Sequence, residues 1–96
     1  MKVIGEDKLG GRNASDIKAR KALAAWLKIS KEAQWQHLME VRQTIPDVSG
    51  NARGNTTVFN ICGGRFRLIT IIDYETQTIL IKEFFTHKEY DRWNQR

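Results

Sequence analysis

Cysteine is almost missing from this chain. Cys62 stands alone, which excludes an internal disulfide and any cysteine-built zinc cage. The two histidines, His37 and His87, lie fifty residues apart with no acidic or cysteine pattern around them, so no metal-ligand spacing is present. No apolar run approaches the ~20 residues that a membrane span requires. Met1 to Lys8 lacks the apolar stretch of a signal peptide. Acidic residues are in deficit: eleven Asp and Glu face sixteen Lys and Arg, for a net charge of +5. These shortages lead us to expect a reduced, cytoplasmic protein with no membrane contact, no metal and no small-molecule cofactor.

What is present suits one folded domain over residues 1–96. The chain is 41% hydrophobic and 28% charged, neither a disordered tail nor a membrane protein. A small basic domain attracts polyanions. The cations are grouped: Lys18, Arg20, Lys21, Lys28 and Lys31 stand against the single Asp16, while Arg53, Arg65 and Arg67 flank a hairpin.

That hairpin belongs to the most informative stretch, residues 56–91. Thr56 to Ile61, Arg65 to Asp73 and Thr78 to Phe85 are rich in β-branched and aromatic residues and are separated by turn residues. Gly63-Gly64 suits a two-residue primed turn, because both positions tolerate positive φ. It sets Asn60 opposite Arg67 and Val58 opposite Ile69. A turn centred on Glu75-Thr76 sets Ile69 opposite Lys82 and Arg67 opposite Phe84. Alternation then puts Asn60, Arg67 and Lys82 on one face with Val58, Ile69, Ile71, Leu80 and Phe84. Phe59, Ile61, Phe66, Leu68, Ile72, Ile79, Ile81 and Phe85 make the core face.

Thr86-His-Lys-Glu89 fits a capping box that starts a terminal helix. Phe85 and Tyr90 occupy the positions of a hydrophobic staple. His87, Tyr90 and Asp91 share one helix face by spacing.

Val58-Phe-Asn-Ile61, the Gly-Gly turn, Arg67-Leu-Ile69 and Thr86-His-Lys-Glu-Tyr-Asp91 resemble the HigB-type toxins of bacterial toxin–antitoxin pairs, within the RelE/ParE-like superfamily. The resemblance is specific over about residues 57–91 and only general before them. It implies an α+β fold, with a helical hairpin on a small antiparallel sheet and a short C-terminal helix. It implies an mRNA endoribonuclease, usually acting on the translating ribosome. It also implies a partner, a HigA-type antitoxin with a helix-turn-helix DNA-binding domain. Residues matching Arg67, His87, Tyr90 and Asp91 lie at or near the active site in that family.

The chemistry of the side chains agrees. RNA cleavage by 2′-hydroxyl attack needs a proton acceptor, a group that stabilises charge on the phosphate, and a proton for the leaving 5′-oxygen. Arg67 can bridge two phosphate oxygens, with Lys82 assisting. His87 can carry the proton; Tyr90 can orient substrate, and Asp91 can hold an imidazole tautomer or act as base. Arg53, Asn60, Arg65 and Lys88 are candidate RNA contacts. Plainer readings stand beside these: Arg67 as a surface strand residue, His87 as an ordinary first helical residue, Tyr90 as a staple, Asp91 as a dipole-stabilising residue. A toxin of this fold that poisons another target, as ParE-like members do with gyrase, and a non-catalytic RNA-binding module are the alternatives.

Before residue 50 the pattern is helical. Lys2-Val-Ile4 reads as a strand joining the sheet, and Glu6 to Arg12 as a helical turn ended by Gly10-Gly11. Asn13 or Ser15 caps a helix from Ser15 to Ile29, whose apolar stripe is Ile17, Leu23, Ala24, Trp26 and Leu27. Ser30 caps a second helix from Lys31 to about Thr44, closed by Pro46, with His37 in its middle. Trp26 and Trp35 are expected in the core. Pro46 to Asn55 is a loop by composition.

Overall fold

The computed structural model describes residues 1–10, 16–50 and 55–95. Five strands form one mixed sheet: β1 (Lys2–Ile4), β2 (Val48–Gly50), β3 (Thr56–Ile61), β4 (Phe66–Asp73) and β5 (Thr78–Thr86). Their spatial order is β1-β5-β4-β3-β2. β1 pairs parallel to β5, and the other neighbours are antiparallel. The helices are α1 (Ile17–Glu32), α2 (Leu38–Thr44) and α3 (His87–Asn94), and Glu6–Leu9 forms a short 3-10 turn. This is an α+β fold consistent with a RelE-like toxin, as the family resemblance implies.

α1 and α2 cover one face of the sheet. Ala19, Leu23, Trp26, Trp35 and Val41 meet Phe59, Ile61, Phe66, Leu68, Ile79, Ile81 and Phe84 in one buried cluster. Trp26 packs edge-on to Phe59 with ring centroids 5.3 Å apart. The expectation that Trp26 and Trp35 are core residues holds. The buried stripe of α1 is Ala19, Leu23, Trp26 and Ser30, so Ile17 and Ala24 lie outside it, with Ile17 65% exposed. Positions spaced by four, three and four face the sheet, and an apolar residue one step off that row faces water.

Several local expectations are corrected. Asp16, rather than Asn13 or Ser15, caps α1: its side chain accepts from the Ala19 N–H at 3.0 Å. Asn13 and Ser15 fall outside the described residues. Ser30 starts no helix. It is fully buried inside α1, which continues to Glu32, and the amino group of Met1 donates to the Ser30, Lys31 and Ala33 carbonyls. The helix end that Ser30 was expected to divide is satisfied by these donations. The second helix is correspondingly short, and His37 is its exposed N-cap residue rather than a mid-helix one. Val48 to Gly50, read as loop, is an edge strand whose partners are Phe59, Val58 and Thr57. Val48-Ser-Gly50 sits in a stretch of turn-forming residues that hides a strand; β3 supplies the ladder.

The Gly63-Gly64 turn holds the expected register, but it is wider than a two-residue loop: Cys62 is also at positive φ, and Cys62 to Arg65 lie outside the ladder. Gly63 has φ +64° and Gly64 +94°, and Asn60 lies opposite Arg67 and Val58 opposite Ile69. The second hairpin departs. Asp73 to Thr70 pair with Thr78 to Ile81 as the turn requires, but the register shifts between Ile69 and Thr70. Ile69 then faces Glu83 and Arg67 faces Phe85, which leaves Lys82 as the extra residue of a bulge. Phe84 and Phe85 therefore exchange faces. Phe84 is buried and stacks on Phe66 at 5.2 Å, while Phe85 emerges beside Arg67.

Candidate active site

Arg67 is the second residue of the middle strand, β4, beside the hairpin turn, and points away from the α1/α2 core. Its ladder neighbours on that face are Asn60 and Phe85. The guanidinium donates through Nη1 to the Gly64 carbonyl, and also to that of Phe66 at 3.4 Å. Gly64 owes this contact to its left-handed backbone. A Cβ there would lie 3.2 Å from Nη1.

α3 folds onto the same face. Its capping box is complete: the Thr86 hydroxyl accepts from the Glu89 N–H at 3.2 Å, and Glu89 accepts from the Thr86 N–H at 2.8 Å. The His87 N–H donates to the Arg65 carbonyl at 3.0 Å, which ties the helix start to the hairpin. These contacts fix the first turn of α3 against β4.

The result brings Arg67 and His87 together. Arg67 Nη2 lies 3.2 Å from His87 Nδ1, and His87 Nε2 lies 3.3 Å from Asp91 Oδ2. The Arg67 guanidinium carbon sits 5.3 Å from the centre of the Tyr90 ring. The His87 side chain remains 58% exposed, so the cluster is open to solvent. Phe85 makes its ring contact with Trp93 at 6.2 Å, and Tyr90 meets the same indole at 5.8 Å. Trp93 therefore stands where the staple pattern alone suggested a Phe85–Tyr90 pair.

The chain belongs to the HigB toxin family. The pattern of that family, described as the RelE-like toxic component of a toxin–antitoxin system, matches residues 19–93. Curated relatives include the mRNA interferase toxin HigB of Escherichia coli (strain K12) and the mRNA interferases HigB of Escherichia coli O157:H7 and Shigella flexneri. Each is 44% identical over 34 residues, covering 35% of this chain and 33% of the relative. The match thus spans about a third of those relatives' length.

Within this HigB-family chain the other sequence-chosen residues are placed differently. Lys82 is exposed at the bulge, off the regular alternation that would have set it diagonal to Arg67. Asn60 donates from its amide to Asp47 and so ties β3 to the start of β2. Arg65 pairs with Asp16 at 2.8 Å. Lys88 is exposed on the first turn of α3. Arg53 lies outside the described residues. The sequence reading overlooked Asp16, the Gly64 carbonyl and Trp93. Asp16 was legible as an acid at the head of a basic helix, and Trp93 as an aromatic three residues after Tyr90. Nothing in the sequence marks a backbone carbonyl as a ligand. No helix among the described residues is long and apolar enough to cross a membrane.

Asp16 is the charged group here whose carboxyl is held below its usual range. The first cause is the hydrogen bond from the Ala19 backbone; partial burial opposes it, and the charge of Arg65 adds to it. The Arg65–Asp16 pair thus links the capped end of α1 to the hairpin that supports His87.

Proposed function

We propose that this chain is an endoribonuclease toxin that cleaves mRNA on the translating ribosome, without a metal, and is silenced by a HigA-type antitoxin carrying a helix-turn-helix domain. Membership of the HigB family and its similarity to relatives that are mRNA interferases support the reading. The observation that carries it is the Arg67–His87 contact. A phosphate clamp and a proton acceptor share one open surface.

The chemistry follows from donors and acceptors. Arginine only donates, so Nδ1 of His87 accepts and Nε2 carries the proton that faces Asp91. When a phosphodiester arrives, its oxygens replace Nδ1 and the Gly64 carbonyl as acceptors for Arg67. Nδ1 is then free to take the proton of the adjacent 2′-hydroxyl. The 2′-oxygen bonds to phosphorus and the bond to the 5′-oxygen breaks. The fragments end in a 2′,3′-cyclic phosphate and a 5′-hydroxyl, whose oxygen takes its proton from solvent. Arg67 stabilises the charge that grows on the phosphate, and Asp91 holds the ring in the productive tautomer. Tyr90 supports the guanidinium from its ring face. Lys82 and Lys88 supply positive field for the approaching strand, joined by Arg65 where Asp16 releases it; Asn60, opposite Arg67, and Arg53 are further candidate RNA contacts. Ribosomal positioning of the mRNA supplies much of the rate.

Primer extension on mRNA from a cell-free translation reaction tests the proposal. Cuts that depend on the chain and disappear with His87→Ala and Arg67→Ala are expected. Intact mRNA under translation arrest, or cuts that survive both substitutions, would count against it.

A further inference from the structure

The bulge at Lys82 has a consequence beyond the strand. It turns Phe85 outward as the cross-strand neighbour of Arg67, and such neighbours on one face stand roughly 5 Å apart. On α3, Trp93 meets both Phe85 and Tyr90. Phe85, Glu89, Arg92 and Trp93 line a hollow of about 200 Å³. Trp26 and Trp35 are 3% and 4% exposed, whereas Trp93 is only half-buried. A purely structural anchor for α3 would need apolar bulk, which an aliphatic residue supplies. An indole with accessible surface, beside a cationic Arg92 and one ring removed from the phosphate clamp, does more.

We propose that this hollow receives the nucleobase flanking the phosphate held by Arg67, stacked on the Trp93 ring with Phe85 behind it. The inference rests on the ribonuclease reading for its substrate class, single-stranded RNA. Unpaired bases of such RNA splay from the backbone and stack on aromatic side chains. Glu89 is committed to the capping box, where it accepts from the Thr86 N–H. Of the polar side chains lining the hollow this leaves Arg92, so selection is chiefly by stacking: purines bind better than pyrimidines, and every base is tolerated.

The test uses an oligoribonucleotide methylated at every 2′-oxygen, which lacks the attacking hydroxyl and binds uncut. It is titrated into the whole chain and into Trp93→Leu and Trp93→Phe, with tryptophan emission as the signal. Thermal melts confirm that each variant is folded. The oligonucleotide is then remade with one abasic residue at each position in turn. In the unsubstituted chain, binding quenches emission and one abasic position weakens affinity about tenfold. Trp93→Leu erases that positional penalty, and Trp93→Phe keeps part of it. Penalties spread evenly over all positions, an unchanged penalty in Trp93→Leu, or no quenching up to millimolar oligonucleotide would overturn the platform. A positional penalty together with uncut, unmethylated mRNA would sink the nuclease reading while leaving the platform standing. Normal cutting with no positional penalty would do the reverse.

Discussion

The Arg67 guanidinium donates to Nδ1 of His87 at 3.2 Å, so the proposed phosphate clamp and the proposed base are in direct contact. The other ring nitrogen faces Asp91 at 3.3 Å. Both neighbours favour the proton on Nε2: the guanidinium can only donate to Nδ1, and the Asp91 carboxylate accepts from Nε2.

Nitrogen-15 spectra should therefore show the Nε2–H tautomer dominant wherever the imidazole is neutral. Arg67→Ala or Asp91→Ala should relax the ring toward a mixture. Cleavage should fall about a hundredfold or more for His87→Ala and Arg67→Ala. Arg67→Lys should restore little, because an ammonium cannot present the planar fork.

The turn offers a matched pair of substitutions. Gly63→Ala and Gly64→Ala both place a side chain at positive φ, so both should lower stability by about 1 kcal/mol. A Cβ at Gly63 meets nothing within 4 Å, whereas one at Gly64 lies 3.2 Å from Arg67 Nη1. Gly64→Ala should lose activity about tenfold beyond Gly63→Ala when both are compared as folded protein, since small misplacements of a catalytic group are costly. Equal activities would mean that the turn does not position Arg67.

Lys82 is the surplus residue of β5. Deleting it should leave Ile81 facing in, Glu83 out, Phe84 in and Phe85 out, as they stand now. The deletion variant should fold with its melting temperature within a few degrees of the parent and lose less than about tenfold in cleavage, the share expected of a cation contributing field alone. Deleting Leu80 from the regular ladder should instead turn the fully buried Ile81 to the outer face and abolish folding.

Stability should bend at both ends of the pH range. Asp16 is held below the usual 3.8, first by the Ala19 N–H and then by Arg65. The unfolded chain binds that proton more readily, so the stabilisation is present above about pH 3.8 and is lost as pH falls through the folded value. Asp16→Asn keeps a capping oxygen and should flatten the acid limb of a melting-temperature profile. Tyr74 behaves oppositely: burial raises its phenol above 10.0. That contribution is present below pH 10 and is lost as pH rises through the folded value, and Tyr74→Phe should flatten the alkaline limb.

Local chemistry was legible from the residues. The glycine pair demanded a primed turn, Thr86 and Glu89 wrote out a capping box three residues apart, and alternation sorted Asn60 and Arg67 onto one face. Each rule acts over four residues or fewer, so the order of amino acids suffices. The length of α1, the existence of β2 and the orientation of Phe84 and Phe85 were decided elsewhere. α1 runs through Ser30 because the Met1 amino group and the sheet receive that turn. β2 is a strand because β3 offers it a ladder. Phe84 faces inward because one residue slips between two hairpin registers, each satisfied by its own neighbours. The site shows the same division. The sequence supplied the arginine, the histidine and the start of α3, while the contact between them depends on a turn carbonyl, a bulge and a helix folded back on the sheet. Those are relations between distant segments, and their energies arise only when the segments meet.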